Sequence, residues 1–123
     1  MRKGLTSRRL LLDPVSMADA DAFFTHASIP VVAKNAGFLP SSIGETQKYI
    51  RQSVGEWRKP KPGRLTYSIR LRDIGTWIGS LELRWLNDGI GEIGFFIHPD
   101  HWGRGYATEA AREAIRWAFA EGG

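Results

Sequence analysis

The segment from Glu92 to Ala110, EIGFFIHPDHWGRGYATEA, gathers most of the residue types and spacings in this chain that could do chemistry. An apolar run enters a short polar loop, passes Gly103 and Gly105, and continues directly into a helical pattern. The first N–H groups of a helix have no partner inside it and point outward along its axis. With the positive end of the helix dipole they attract an anion, most naturally a phosphate. The two glycines keep side chains out of the way of such a ligand, or else they serve only to make a tight turn. Glu92, on the apolar run, is a carboxylate whose pKa apolar neighbours would raise toward use as a proton acceptor; the other reading is a solvated strand residue. Glu82, on the preceding apolar stretch, is the reserve candidate. His98, Asp100 and His101 are metal-ligating types, but no further ligand is assured nearby, so they read as a polar turn and no metal is expected.

Two well-known phosphate motifs do not fit. A P-loop needs Gly-Lys-Ser/Thr, which GRGYAT lacks. A dinucleotide fingerprint needs Gly or Ala where Thr108 stands, and a second strand bearing an acid about 20 residues on. No Gly-x-Ser-x-Gly elbow supports a serine hydrolase.

The elements that would position these residues can be read from periodicity. Arg8 to Leu12 reads as a first strand. Ser16 with Asp19 forms a capping-box pattern opening a helix to about Ala27, and Ser42 with Glu45 opens a second to about Trp57. The intervening SIPVVAKNAGFLP reads as a loop. Leu65, Tyr67, Ile69 and Leu71 alternate with polar neighbours as in a half-buried strand. Trp77, Gly79, Leu81, Leu83 and Trp85 line one face of the next strand, and Asn87 to Gly89 signal a hairpin turn. The following strand, about Gly91 to His98, places Ile93, Phe95 and Ile97 on one face and Glu92, Gly94 and Phe96 on the other. The final helix, Tyr106 to about Glu121, carries Ala107, Ala111, Ala114, Ile115 and Ala118 along one stripe.

Composition sets the outer limits. A chain of 123 residues is one domain, and 42% hydrophobic residues with five Trp suffice for a core. No run reaches the roughly 18 apolar residues of a membrane span. The absence of cysteine excludes disulfides and zinc–thiolate sites. A cytoplasmic protein is the expectation. The net charge of +4 comes from scattered Arg and Lys, which argues against a nucleic-acid binder; a basic surface also suits a small phosphorylated ligand.

IHPDHWGRGYATEA resembles the acyl-CoA signature of the GNAT N-acetyltransferases, with Trp102, Gly103, Arg104, Gly105, Tyr106 and Ala107 in its six positions. The fuller run is most similar to the Rim-type branch that acetylates ribosomal-protein N-termini, and SRRLLLDPVSMADADAF is similar to that branch's opening. The resemblance implies an α/β fold with an α+β mixed sheet and an acetyl-CoA-dependent transfer to a primary amine by direct attack. It implies that backbone groups from Gly103 to Ala107 hold the pyrophosphate, with Arg104 beside it and Thr108 completing the contact. It also implies that backbone groups of Phe96 and Ile97 pair with the pantetheine and that a base removes the amine's proton, for which Glu92 is the candidate, directly or through a water. Family domains continue past this helix into a parallel strand, a helix and a hairpin, so residues 1–123 are expected to form one domain incomplete at its C-terminus. The strand at 91–98 would then expose an edge through which a second copy could pair. The rival reading is a non-catalytic acyl-CoA-binding or assembly protein on the same fold.

Overall fold

The run LTSRRLLLDP turns back on itself at Ser7. The Ser7 N–H donates to the Leu10 carbonyl at 2.9 Å, and the Leu10 N–H donates to Ser7 Oγ at 3.2 Å. The turn separates β1 (Leu5–Thr6) from β2 (Leu10–Pro14). The strand expected over Arg8 to Leu12 is therefore the second one and runs two residues later, because Arg8 and Arg9 belong to the turn. The structure is a computed structural model and describes residues 4–36, 42–85 and 91–118. Among these, β2 is followed by a 3-10 turn (Met17–Asp19), α1 (Ala20–Ala27), α2 (Pro30–Ala36), α3 (Ile43–Trp57), β3 (Arg64–Leu71), β4 (Trp77–Trp85), β5 (Gly91–Ile97), a second 3-10 turn (Pro99–His101) and α4 (Tyr106–Trp117). The strands form one antiparallel sheet in the order β1-β2-β3-β4-β5. The architecture is that of the α/β fold predicted. The Asn87–Gly89 turn and the helix beyond Ala118 lie outside the described residues.

Four local features differ from their predictions. Part of the expected loop is the helix α2: Pro30 at its first position gives up an N–H that has no intrahelical partner anyway, and Val32 and Ala33 are buried. Strand β3 is buried on both faces, because Thr66 and Ser68 lie under helices instead of in water. Their hydroxyls are answered there: Ser68 donates to Asp19 at 2.9 Å, and Thr66 lies 3.4 Å from both Ser53 and Glu82.

The third difference is a β-bulge. Ile69 pairs with Gly79 and Arg70 with Trp77, so Ile78 is an extra residue on β4 and the alternation of faces slips. Ile78 joins Leu81 and Leu83 in the cluster beneath α4, whereas Trp77 packs with Phe23 and Phe96 on the other side. The single apolar face expected for β4 is therefore split. The fourth concerns α4, whose buried stripe runs through Ala110 and Ala114, flanked by Ala107 and Trp117, while Ile115 is 43% exposed. Alanines at 107, 110, 111, 114 and 118 define two adjacent stripes, and only the sheet chooses between them.

Two apolar clusters result. One fills the space between α4 and the sheet, around Leu10, Leu12, Tyr67, Ile69 and Ile97. The other joins α1, α2 and α3 to the opposite face through Phe23, Val32, Ile50 and Phe96. Gly79 sits where β4 meets the end of β5, and a Cβ there would lie 2.1 Å from the Phe96 carbonyl oxygen. Gly79→Ala should therefore lower the unfolding free energy by about 1–3 kcal/mol in chemical denaturation. Gly55→Ala, in α3 with nothing within 4 Å of the new methyl, should raise it by about 0.5–1 kcal/mol.

Candidate functional site

The end of β5 leads straight into the bend. The His98 N–H donates to the Ile78 carbonyl at 2.8 Å and the Asp100 N–H donates to His98 Nδ1 at 3.0 Å, closing the 3-10 turn. Trp102 then folds back, its indole N–H donating to the Ile97 carbonyl at 2.7 Å. Gly103 and Gly105 take φ of +77° and +80°, the left-handed region where a side chain is strained. Gly105 caps α4, and the first helical N–H to find a partner is that of Glu109, on the Gly105 carbonyl at 3.0 Å. The N–H groups of Tyr106, Ala107 and Thr108 have no acceptor within the helix.

Beside the bend runs the outer edge of β5. In an antiparallel strand both backbone groups of a residue point the same way, alternating along the chain. The Phe96 carbonyl faces β4 at Gly79, and the Ile97 carbonyl faces outward to the Trp102 indole. Phe95 and Ile97 therefore offer their backbone outward, and Phe96 does not. Phe96 turns its backbone to β4 and packs its ring against Phe23 and Trp77, which differs from the backbone pairing expected of it. Edge and bend enclose a cleft of about 340 Å³. Phe96, Ile97, Trp102, Gly103, Gly105, Tyr106, Ala107 and Thr108 all line it, with Phe95, His101 and Val32 from α2 added.

Two predicted residues lie apart from this lining. Arg104 is exposed, and its carbonyl accepts from Arg9 Nη1 at 2.9 Å. Glu92 is exposed near the far end of β5, opposite Arg84, and lacks the apolar surroundings expected of it. Glu82 is nearer the middle of the sheet, opposite Gly94, and only partly exposed. It accepts from the Tyr49 hydroxyl at 2.5 Å and pairs with Arg84 Nε at 2.9 Å and Arg64 Nε at 3.5 Å. Burial, then the neighbouring Glu82 carboxylate, pushes the Tyr49 phenol up to about 12. Among the described residues no three His, Asp or Glu side chains gather as a metal-binding group.

The bend is held by residues that the motif reading missed. Glu109 accepts from Ser7 Oγ at 2.5 Å, from the Arg9 N–H at 2.8 Å and from Arg9 Nε at 2.7 Å. Burial pushes the Glu109 carboxyl up, but these donors outweigh it and leave the pKa below the ordinary value. The same Arg9 guanidinium lies 4.4 Å from the Tyr106 ring centroid. An acid in the first turn of a helix on a buried stripe signals that a donor is needed; the identity of that donor, about 100 residues away, is a tertiary fact.

Under the bend, His26, His98, His101 and Tyr106 form a chain of ring contacts, with centroids 4.8, 6.2 and 6.1 Å apart in turn. Burial first, then neighbouring positive groups, hold the pKa of His26 and of His101 below 6.5. For both, the unfolded chain binds more protons at mildly acid pH than the folded one, so stability rises with pH through that window.

Among the described residues a five-stranded sheet, whose last strand passes through a double-glycine bend into a helix, defines the class of domain. The chain belongs to the acetyltransferase (GNAT) domain family, which it matches over residues 9–123. It is 26% identical over 118 residues to the uncharacterized N-acetyltransferase p20 of Bacillus licheniformis, covering 94% of this chain and 65% of that one. Against the acetyltransferase structure from Agrobacterium tumefaciens the identity is 28% and the TM-score 0.79, covering 97% of this chain and 68% of that one. An acetyl transferase from Salmonella typhimurium, described as modifying the N-terminal serine of a 50S ribosomal subunit protein, shares the fold with a TM-score of 0.76 at 14% identity, covering 94% and 67%. The chain thus spans about two thirds of the length of the Bacillus licheniformis relative and of two similar Bacillus subtilis proteins. No helix among the described residues is long and apolar enough to cross a membrane.

Acidification below about pH 6.5 should lower the melting temperature, because His26 and His101 must then take up protons that the fold disfavours. His26→Gln should flatten that fall. An unchanged pH profile in the variant would remove His26 from this account.

Proposed function

We propose that this chain carries an acetyl-CoA-dependent N-acetyltransferase activity, transferring acetyl to a primary amine by direct attack. The observation that carries the reading is one cleft joining unpartnered helix N–H groups at a glycine bend to an outward-facing strand edge. These residues fit the ligand: the backbone from Gly103 to Ala107 suits a pyrophosphate, with Arg104 beside it, and the outward N–H of Ile97 with the outward groups of Phe95 suits an amide-bearing arm that adds like a strand. When bound, acetyl-CoA supplies an acetyl group activated as a thioester. An outward N–H of β5 would polarise that carbonyl. As the new C–N bond forms and the C–S bond breaks, the amine gives up a proton. We assign the proton to Glu92 through water, with Glu82 as the reserve.

The Salmonella neighbour supports a protein N-terminus as one acceptor class, in keeping with a Rim-type branch. The separation of Glu92 from the cleft supports a second reading, an acyl-CoA-binding or assembly role without turnover. We also read the outward edge of β5 as the surface through which two copies would pair, in competition with the ligand. Sedimentation should then show CoA shifting the chain toward monomer.

CoA should change the fluorescence of Trp102, which lines the cleft. Gly105→Glu places a carboxylate where the phosphate belongs and should abolish that response while thermal melting still reports a folded chain. Unaltered CoA affinity in this variant would sink the assignment of the bend. For the chemistry, Glu92→Gln should slow turnover and remove the acidic limb of the rate–pH profile, leaving CoA affinity intact. If only Glu82→Gln does this, the proton passes to Glu82.

A further inference from the structure

On the face of β4 turned away from α4, the side chain of Arg84 does not pair with Glu92, the acid directly across from it on β5. Its Nε is held at 2.9 Å by Glu82, and its Nη2 lies beside Gly94, 3.9 Å from where a Cβ would stand. Glu82 is itself fixed by the Tyr49 hydroxyl and by Arg64, so the anchor under Arg84 is a rigid network rather than a loose surface pair. Two guanidiniums meet the one Glu82 carboxylate, and Glu92 across the strand is not drawn into the cluster. Arg84 nevertheless stays 52% exposed, which leaves part of its guanidinium open to solvent. An arginine fork with one side tied and the other open matches a carboxylate in a two-point contact.

The place matters as much as the charge. Gly94 lies between Ile93 and Phe95, which alternation turns outward along the edge that would carry the thioester arm. Helix α4 covers the opposite face of the sheet. An acceptor amine reaching the middle of β5 would therefore arrive on the Gly94 side, where no β5 side chain stands between it and Arg84.

We propose that Arg84 is a specificity-determining residue that binds the carboxylate of a small amino-acid acceptor, with Gly94 giving it room and Glu82 and Tyr49 holding it in place. The proposal rests on the acetyltransferase reading and names its acceptor class.

The probes are L-leucine and L-leucinamide, which differ in covalent structure only at the carboxyl group, each titrated onto the chain saturated with CoA at a pH that keeps both amines protonated and followed by ligand-observed NMR. CoA binding is measured first through Trp102 fluorescence; its failure overturns the acetyltransferase reading, and this proposal with it. With CoA bound, leucine should bind at least about tenfold more tightly than the amide. Arg84→Gln should bring the two to parity by weakening leucine only, leaving CoA affinity and the melting temperature near those of the parent. Arg84→Lys, which keeps the charge and loses the fork, should restore part of the preference. Equal affinity of the two probes for the parent chain, no binding of either beside bound CoA, or a preference that survives Arg84→Gln would each overturn the assignment.

Discussion

A carboxylate withdrawn from water in the first turn of a helix must be met by donors, and Glu109 is met by the other end of the chain. Ser7 and Arg9 lie in the turn between β1 and β2, yet they close on α4 with three short contacts and bring the Arg9 guanidinium onto Tyr106 and the Arg104 carbonyl. This one knot fixes where α4 begins. The position of α4 then decides which of its alanine stripes meets the sheet and how far the glycine bend stands from the edge of β5. The cleft is the space left over once those distances are set.

The sheet's other face follows a different logic. Its interior holds Asp19 and Glu82, each surrounded by several donors, because a buried carboxylate with one partner costs more in lost hydration than the pair returns. Asp19 takes the Ser16 N–H at 3.0 Å, the Ser68 hydroxyl at 2.9 Å and Arg70 at 2.5 Å. Burial pushes its pKa up, and the donors together bring it below the ordinary value. Such networks orient α1 and α3 over the strands more sharply than apolar contact would, since a shift of one residue leaves a charge unanswered. They also leave a patch of fixed charge in the middle of β4 and β5, close to where chemistry would occur.

How much of this was legible depended on the range of the interaction. The glycine bend, the strand before it and the helix after it are consecutive in sequence and rest on local chemistry, so GRGYATEA was sufficient to locate them. Three features resisted for physical reasons. The bulge at Ile78 is a matter of register between β3 and β4, and alternation within β4 alone carries no sign of it. Helix α2 is short and is held by Val32 against the α1–α3 cluster, so its stability is tertiary and its local sequence looks like a loop. Arg9 read as part of the first strand, with no sign of a partner about 100 residues on. Among the residues at the cleft, the two glycines of the bend could be read from spacing. The roles of Phe96, Arg84 and Glu82 depend on which way a strand faces, which pairing alone decides.

The indole of Trp102 has a further consequence for the edge it touches. An unpaired strand normally invites extension along its whole length, but the Ile97 carbonyl is already occupied by a donor from its own chain. The last rung of the ladder is thus filled from within, and the available row shortens to the portion before it. A guest strand laid against β5 cannot run through to the bend without displacing the ring, so the protein carries a built-in ruler that sets where pairing stops. An arm that turns away from the strand at that rung, toward the helix donors, meets no such obstacle. On this geometry the ring would separate by shape a straight polypeptide from a ligand that bends at that rung.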